Sequence, residues 1–276
     1  MDRITSYTHD GLTFDVRDEG PVGGPVAVLL HGFPERSSSW RAVSPLLHET
    51  GIRTLAPDQR GYSPGARPSR VRDHRLPLLA GDVVALAERV GEPVHLVGHD
   101  WGAAVAWYLA AHHPTHVRTL TAVSVPHPRA FLRAARDGQL RRSWYMALFQ
   151  LPGVMERLAR RPGGRVDESL LKGGMTRDDV ARFRREIVDD GALPGALRWY
   201  RALPFTDPRL ARARVAVPTT FVWSDGDVAI VRRGAELTGE HVDAPYRLEI
   251  LSGVSHWIPT EAPEALAKAV IARILG

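Results

Sequence analysis

The segment from residue 94 to residue 112 constrains the fold of this chain most strongly. Its first four residues, Val-His-Leu-Val, predict a short buried strand, and from Trp101 onward apolar residues recur at helical spacing. Gly98 and Gly102 flank Asp100 at two positions on either side, which permits a sharp strand-to-helix turn that larger side chains would obstruct. Such a turn projects Asp100 over the edge of a sheet, beside a helix N-terminus whose free N–H groups favour negative charge. The alternative interpretation is an ordinary helix-capping Asp.

Short apolar segments alternate with helical segments in the first part of the chain. The predicted strands cover 26–30, 52–56, 94–97 and 117–123, and the predicted helices cover 78–90 and 101–112. The alternation returns later, with strands at 219–223 and 246–251 and a last helix at 263–275. Because strand–helix–strand units require right-handed crossovers, we expect an α/β fold: a mostly parallel twisted sheet with helices on both faces.

The segment between these two alternating parts has a different character. From residue 127 to about residue 203 it is rich in Arg, Ala, Leu and Gly at helical spacing, and it contains no convincing strand. The sequence therefore predicts one α/β core, formed by residues 1–126 and 207–276, interrupted by a helical cap at 127–206. An insertion over the carboxyl edge of a parallel sheet would act as a lid on a site there.

The composition excludes several classes of function. Cysteine is absent from all 276 residues, which excludes a disulfide framework, a thiolate nucleophile and a cysteine-ligated metal. The formal charge of +5 comes from scattered arginines without an aromatic stacking platform, so we expect no nucleic-acid partner. The chain starts without an apolar signal core, and its longest apolar run falls far short of the roughly 20 residues that span a bilayer. These features predict a cytoplasmic protein that does not bind membranes.

Two further groups of residues could take part in catalysis together with Asp100. The segment at 31–34, His-Gly-Phe-Pro, directly follows a buried strand, where a loop can offer a backbone N–H group to an oxyanion. Asp225 and Asp227 follow a later strand, and His256 follows the last strand. Together with Asp100 these residues give the chain order nucleophile, acid, histidine, which is the order of α/β-hydrolases.

With these motifs the chain resembles the epoxide hydrolases of the α/β-hydrolase superfamily over nearly its whole length. The motifs that carry the resemblance are His-Gly-Phe-Pro-Glu at 31–35 with Trp40, Asp-Gln-Arg-Gly-Tyr-Ser at 58–63, Gly-His-Asp-Trp-Gly at 98–102 and Ser-His-Trp at 255–257. In that family an Asp is the nucleophile, an Asp–His pair activates water and a helical cap carries two tyrosines. The resemblance implies that Asp100 is the nucleophile and favours Asp227 over Asp225 as the partner of His256. The main departure is Ala103, where many relatives have a further glycine.

The resemblance also implies roles for the rest of the site. Tyr145, five residues before the Gln-x-Pro-Gly segment at 150–153, and Tyr200, near the end of the cap, would hold the epoxide oxygen and supply the acid. The backbone N–H groups of Phe33 and Trp101 would hold an oxyanion. The residues expected to line the substrate pocket are His31, Phe33, Trp101, Trp144 and Phe149.

The expected ligand is a small, apolar epoxide, bound by a monomer or homodimer without a cofactor or a metal. A carboxylate such as Asp100 is already ionised at neutral pH, so it needs no base to attack. His112, His113 and His116 suggest a metal cluster, but they stand where a helix ends, and polar or positive groups suit the helix dipole there.

Two other functions remain open at this point. A haloalkane or haloacetate dehalogenase would use the same Asp ester and the same Asp–His pair. However, Phe33 stands where haloalkane dehalogenases commonly have a halide-binding polar residue, and Trp101 and Ala104 stand where haloacetate dehalogenases have arginines. The other alternative is a non-catalytic ligand-binding protein on the α/β-hydrolase fold, which would have no reason to retain the nucleophile, the Asp–His pair and both tyrosines.

Overall fold

The computed structural model of the chain describes residues 2–276 and contains one eight-stranded sheet. The strands are β1 (Ser6–His9), β2 (Leu12–Glu19), β3 (Val26–Leu30), β4 (Arg53–Pro57), β5 (Val94–His99), β6 (Val117–Val123), β7 (Thr219–Ser224) and β8 (Tyr246–Leu251). Their order in the sheet is β1-β2-β4-β3-β5-β6-β7-β8. β2 pairs antiparallel with β1 and β4, and all other pairs are parallel. The prediction of a mostly parallel sheet is confirmed.

Helices cover both faces of this sheet and form the cap. They are α1 (Ser44–His48), α2 (Leu76–Val90), α3 (Trp101–His112), α4 (Pro128–Arg133), α5 (Gln139–Arg142), α6 (Tyr145–Phe149), α7 (Val154–Ala159), α8 (Arg165–Lys172), α9 (Arg177–Phe183), α10 (Leu193–Ala202), α11 (Arg232–Thr238), α12 (Ile258–Glu261) and α13 (Pro263–Leu275). Within the described part of the chain, no helix combines the length and the apolar character that crossing a bilayer requires.

The central strand β3 shows why both faces need helices. All five of its residues are buried, and successive side chains point to opposite faces of the sheet. Val28 belongs to the apolar cluster that contains Trp107 of α3, whereas Leu29 belongs to the cluster that contains Val270 of α13. A continuous apolar strand of this kind is stable only between two helical layers.

Several element ends differ from the sequence prediction for local reasons. β5 extends to His99, so the strand runs directly into the turn at Asp100. α2 begins at Leu76 rather than at residue 78, because Pro77 fits a first helical turn, where its missing N–H has no partner to lose. Gly91 ends α2 in the left-handed conformation, with φ of 84°.

The antiparallel edge of the sheet is missing from the sequence prediction. β1 and β2 form a hairpin that turns at Asp10 and Gly11, whose φ angles are 50° and 73°. An Asp-Gly pair is a known signal for such a turn. Only Phe14 and Val16 of β2 are buried, so the apolar alternation is too short to be prominent beside the buried central strands.

The helical cap is held against the core by α10. All regular elements described between β6 and β7 are helical. Trp199 Nε1–H of α10 donates a hydrogen bond to the backbone oxygen of Arg60 at 2.8 Å. A Cβ atom at Gly195 would lie only 2.2 Å from the backbone oxygen of Gly61, so the two backbones are in direct contact. The cap boundaries at 126/127 and 206/207 stay a prediction.

Candidate active site

The turn between β5 and α3 places Asp100 at the carboxyl edge of the sheet. Asp100 has φ of 53° and ψ of −119°, a conformation that is costly for a residue with a side chain. A Cβ atom at Gly98 would lie 2.3 Å from the backbone oxygen of Gly102, and one at Gly102 would lie 2.0 Å from the backbone oxygen of Leu30. The two glycines are therefore required by close backbone approach, as the sequence predicts.

The two carboxylate oxygens of Asp100 have different surroundings. The backbone N–H of Phe33 donates a hydrogen bond to Oδ1 at 2.7 Å, whereas Oδ2 lies 3.4 Å from Nε2 of His256. A Cβ atom at Gly32 would lie 2.3 Å from Cβ of Asp100, so only glycine allows this approach. The peptide bond before Pro34 is cis. The N–H of Trp101, the first residue of α3, has no acceptor within its own helix, and it stays the predicted second donor.

Asp227, and not Asp225, is the carboxylate that contacts His256. Nδ1 of His256 lies 2.7 Å from Oδ2 of Asp227, and Oδ1 of Asp227 accepts the backbone N–H groups of Ala229 at 2.7 Å and Ile230 at 2.9 Å. Asp225 instead accepts the N–H of Gly253 at 2.7 Å. Since a carboxylate on Nδ1 keeps that nitrogen protonated, Nε2 is the atom free to exchange a proton near Asp100.

Charge and burial determine the protonation states in the site. Burial opposes the cationic form of His256, but the carboxylates of Asp227 and Asp100 outweigh it and raise the pKa of the imidazole. Burial also opposes ionisation of Asp100, yet its hydrogen bond and ion pair with His256 keep the pKa of the carboxyl low. Burial raises the pKa of Tyr145 and Tyr200, and the nearby Asp100 charge adds to this. At neutral pH the site therefore holds a carboxylate and two phenols that keep their protons.

The two cap tyrosines lie together above Asp100. Tyr145 of α6 and Tyr200 of α10 have ring centroids 6.4 Å apart, and both line the same cavity as Asp100 and His256. Phe149 packs behind them, with its ring centroid 4.8 Å from that of Tyr200. Two phenols facing one carboxylate could bind an oxygen atom on the substrate side of Asp100.

The structure places four of the five expected substrate-lining residues outside the cavity lining. Trp144 is wrong as a lining residue, since it lies at the surface with 67% of its area exposed. His31 is fully buried under the 31–34 loop, where its Nε2 accepts the N–H of Gln59 at 3.1 Å, and burial lowers its pKa to about 4. Phe149 is buried behind the tyrosines. Phe33 is not part of the lining either and packs against Phe149, with ring centroids 5.3 Å apart. Of the five, Trp101 lines the cavity.

The cavity above Asp100 has a volume of about 430 Å³ and mostly apolar walls. Much of its surface comes from residues that the sequence prediction does not include: Ala104, Tyr108, Phe131, Leu203, Leu210 and Ile230. A signal for part of this set exists in α3, where Trp101, Ala104, Tyr108 and Ala111 are separated by three, four and three positions and are less buried than their neighbours. Such spacing places them on one face of the helix.

A buried polar layer under the site is also absent from the sequence prediction. Nε2–H of His99 donates a hydrogen bond to the backbone oxygen of His256 at 2.9 Å, and Nδ1 of His99 lies 3.8 Å from Oε2 of Glu35. Burial lowers the pKa of His99 to about 4 and raises that of Glu35 to about 7. His99 is therefore a neutral side chain that holds the backbone of His256 in place.

Comparison with known proteins gives one consistent result. A family model described as alpha/beta hydrolase fold matches residues 25–263. The chain is 30% identical to Epoxide hydrolase A from Mycobacterium tuberculosis, with 97% of this chain and 95% of the relative covered. It is 33% identical to the AB hydrolase superfamily protein YfhM from Bacillus subtilis, covering 95% and 94%. The crystal structure of Epoxide Hydrolase A from Mycobacterium thermoresistibile superposes with a TM-score of 0.86 at 27% identity, covering 98% of this chain and 97% of that chain.

Proposed function

The chain belongs to the α/β-hydrolase family, among the epoxide hydrolases, and from this premise we propose that it converts an epoxide to a vicinal diol through a covalent alkyl ester on Asp100. The observation that carries the proposal is the arrangement around Asp100. Its Oδ1 is held by the Phe33 N–H at 2.7 Å, while the carboxylate shares the cavity with Tyr145 and Tyr200. A fixed carboxylate that faces two proton donors suits attack on a carbon whose leaving group is an alkoxide.

Ring opening is the first half-reaction. The carboxylate of Asp100 attacks one epoxide carbon, a new C–O ester bond forms and the ring C–O bond breaks. The alkoxide then takes a proton from Tyr145 or Tyr200, whose raised pKa values keep both phenols protonated until the alkoxide develops. The products of this step are a glycol monoester on Asp100 and one phenolate.

Hydrolysis of the ester is the second half-reaction. Esterification removes the Asp100 charge that helps to raise the pKa of His256, so the imidazolium releases its proton, which the phenolate accepts. Neutral His256, oriented by Asp227 at 2.7 Å, then takes a proton from water as the water attacks the ester carbonyl. The oxyanion forms on the Asp100 oxygen that the Phe33 N–H holds, with Trp101 N–H as the second donor. When the intermediate collapses, the carbonyl re-forms, the ester C–O bond breaks and the leaving diol oxygen takes the proton from His256. The carboxylic acid of Asp100 then gives its proton to His256, which restores the starting ion pair.

The alternative functions lack a supporting observation at the site. Trp101 and Ala104 line the cavity and are both uncharged, so these two positions supply no cation to hold a carboxylate, as a haloacetate substrate requires. A non-catalytic binding protein would not need an Asp–His pair directed at the carboxylate. We further propose that the substrate is a small, uncharged epoxide and that its hydrolysis uses no cofactor or metal.

The direct test is diol formation by the purified protein and by Asp100→Ala. Wild type should convert a styrene-oxide-like epoxide to its diol, and the variant should fold normally but lose turnover, because no other side chain reaches the epoxide carbon. Asp137→Ala, which changes an exposed carboxylate of the cap, is the matched control and should keep full activity. If Asp100→Ala retains more than a few per cent of wild-type turnover, the covalent mechanism is wrong.

A further inference from the structure

One wall of the cavity runs from Asp100 along α3. Trp101, Ala104, Tyr108 and Ala111 form its floor, and they follow one face of the helix away from the catalytic turn. Ten residues separate the first from the last of these positions, which corresponds to about 15 Å along a helix axis. The wall beside the nucleophile is therefore long enough to contact an extended arm of a substrate.

A cluster of aromatic rings packs beside Asp100 around Phe33, which is not part of the cavity lining. The ring of Phe33 lies 5.3 Å from those of both Phe149 and Tyr200, centroid to centroid, and Phe149 lies 4.8 Å from Tyr200. Trp101 adds a further contact, at 5.1 Å from Tyr200. Rings at these separations are in van der Waals contact, so a large substituent has no room on this side.

The long side of the cavity offers no charge to a ligand. Apart from Asp100 and His256, the charged or titratable groups in its lining that are not phenols are His127 and Asp207. Burial lowers the pKa of His127 to about 3, and its Nε2 is bonded to the backbone oxygen of Ala213 at 3.1 Å. The carboxylate of Asp207 is paired with Arg209 at 2.8 Å. A neutral imidazole and a paired carboxylate would not attract an acid group on the substrate.

We propose that this enzyme acts on terminal epoxides that carry one uncharged apolar arm. The epoxide would lie between Asp100 and the two tyrosines with its unsubstituted carbon toward Phe33, and the arm would extend along α3 toward Ala111. C–C bonds of ~1.5 Å zigzag in an extended alkyl chain, so each carbon advances about 1.25 Å. A groove length of about 15 Å then accommodates the two epoxide carbons and an arm of roughly ten carbon atoms. This inference rests on the proposed function and specifies its substrate class.

A chain-length series tests the groove. For 1,2-epoxyalkanes from four to fourteen carbons, kcat/KM should rise about three- to fourfold per methylene and level off once the arm fills the groove. An internal epoxide with the same carbon number, such as 5,6-epoxydecane against 1,2-epoxydecane, should react at least tenfold more slowly. An epoxide whose arm ends in a carboxylate should also be a poor substrate.

Two substitutions in α3 then test where along the groove the arm lies, because each leucine would block the groove at a different distance from Asp100. The ratio of kcat/KM for 1,2-epoxydodecane to that for 1,2-epoxybutane should fall in the order wild type, Ala111→Leu, Ala104→Leu, since the second leucine lies closer to Asp100. Ala272→Leu, on the exposed side of α13, is the control and should leave the ratio unchanged. Hydrolysis of epoxides without these preferences overturns the substrate class alone, whereas the absence of hydrolysis for every epoxide overturns the proposed function.

A second, independent observation concerns the loop after Asp227. Gln139 of α5 is buried to 1% exposure, and its side-chain amide pairs with the backbone of this loop. Nε2–H of Gln139 donates to the backbone oxygen of Ala229 at 2.7 Å, and Oε1 accepts the N–H of Val231 at 3.0 Å. Arg142, three positions along, donates to the backbone oxygen of Ile230 at 2.9 Å. Side chains of the cap thus hold the loop by hydrogen bonds to the loop backbone.

The same loop holds the triad acid. The N–H groups of Ala229 and Ile230 both donate to Oδ1 of Asp227, at 2.7 and 2.9 Å, and its other oxygen contacts His256. The geometry points to Gln139 as a positioning residue: it fixes the loop, the loop fixes Asp227, and Asp227 orients His256. Because His256 acts as a base only when the ester is hydrolysed, the effect of Gln139 should fall mainly on the second half-reaction.

Pre-steady-state measurement of the two half-reactions tests this role. Gln139→Ala should slow ester hydrolysis at least tenfold while ester formation changes less than threefold, so that the ester accumulates. Gln139→Glu keeps the acceptor for the Val231 N–H and should retain more of the hydrolysis rate. Arg141→Ala, an exposed neighbour on α5, is the control. Equal slowing of both half-reactions, or no change in either, would overturn the assignment.

Discussion

Replacement of His256 by Gln should separate the two half-reactions and trap the covalent ester. The variant keeps the nucleophile and both tyrosines but removes the group that activates water. General-base assistance contributes about 10²- to 10⁴-fold in rate, so the ester should persist for seconds to minutes. Intact-protein mass spectrometry after an acid quench should then show one added substrate mass, and peptide mapping should locate it on Asp100.

The same change also affects the nucleophile, by an amount that the geometry sets. Nε2 of His256 lies 3.4 Å from Oδ2 of Asp100, and at an effective dielectric constant of about 20 two unit charges at that distance attract by about 5 kcal/mol. Burial raises the pKa of Asp100, and without this attraction the hydrogen bond from the Phe33 N–H is the main interaction that still lowers it. The pKa of Asp100 should therefore rise in the variant. Ester formation by the variant should therefore increase with pH through the neutral range, whereas in wild type it should stay flat there.

The His256→Gln experiment has a matched control variant and a result that would refute the ester mechanism. His116→Gln changes a histidine of the short 3-10 helix Pro114–His116 that follows α3, outside the cavity lining, and should turn over like wild type without accumulating an adduct. A single turnover of wild type in ¹⁸O-water should label the Asp100 carboxylate rather than the diol, because water attacks the ester carbonyl. If the His256 variant forms no adduct from an epoxide that wild type hydrolyses, the ester mechanism is refuted.

Three further changes have expected outcomes. Tyr145→Phe and Tyr200→Phe should each slow ester formation about 10- to 100-fold and the double variant more, since loss of proton donation is costly; stopped-flow single turnovers measure this. Gly32→Ala would place a Cβ atom 2.3 Å from the nucleophile, so diol formation should fall at least 100-fold, whereas Gly23→Ala, with open space around it, should be neutral in the same assay. The pKa of His256 is higher in the folded protein than the ordinary histidine value near 6.5 that applies to the unfolded chain. Its ion pair therefore contributes its whole stabilisation below about pH 6.5 and loses it as the pH rises. The difference in unfolding free energy between wild type and His256→Gln, from urea titrations, should accordingly shrink between about pH 6 and pH 10.

Local signals account for the predicted site residues that the structure brings together around Asp100. The turn at Asp100 depends on two glycines and an apolar strand within nine residues, and each requirement is visible in the chain itself. Asp227 and His256 follow strands whose carboxyl ends must share one edge of a parallel sheet. The choice between Asp225 and Asp227 needed more than spacing, because both follow the same strand and only one of them reaches His256.

The errors arise where contacts are distant in sequence or elements are short. α5 and α6 have only four and five residues, too few for a periodicity that would show which side of Trp144 faces the cavity. Gln139 meets its partners about 90 residues away, a pairing that no local pattern encodes. The β1–β2 hairpin has a recognisable turn but only two inward side chains in β2, so its signal is weak beside the continuous apolar strands.

The backbone contact between Gly61 and Gly195 limits how closely α10 of the cap can approach the core. Side chains in contact can change rotamer to absorb a small shift, but two backbones cannot, and atoms of Gly61 already lie 2.2 to 2.8 Å from where a Cβ of Gly195 would be. Tyr200 lies five residues farther along the same helix, about 7.5 Å from this point. Because the two backbones already touch, this part of α10 cannot move closer to the core. The helix could move only away from the core at this point, and such a movement would carry the phenol of Tyr200 away from Asp100.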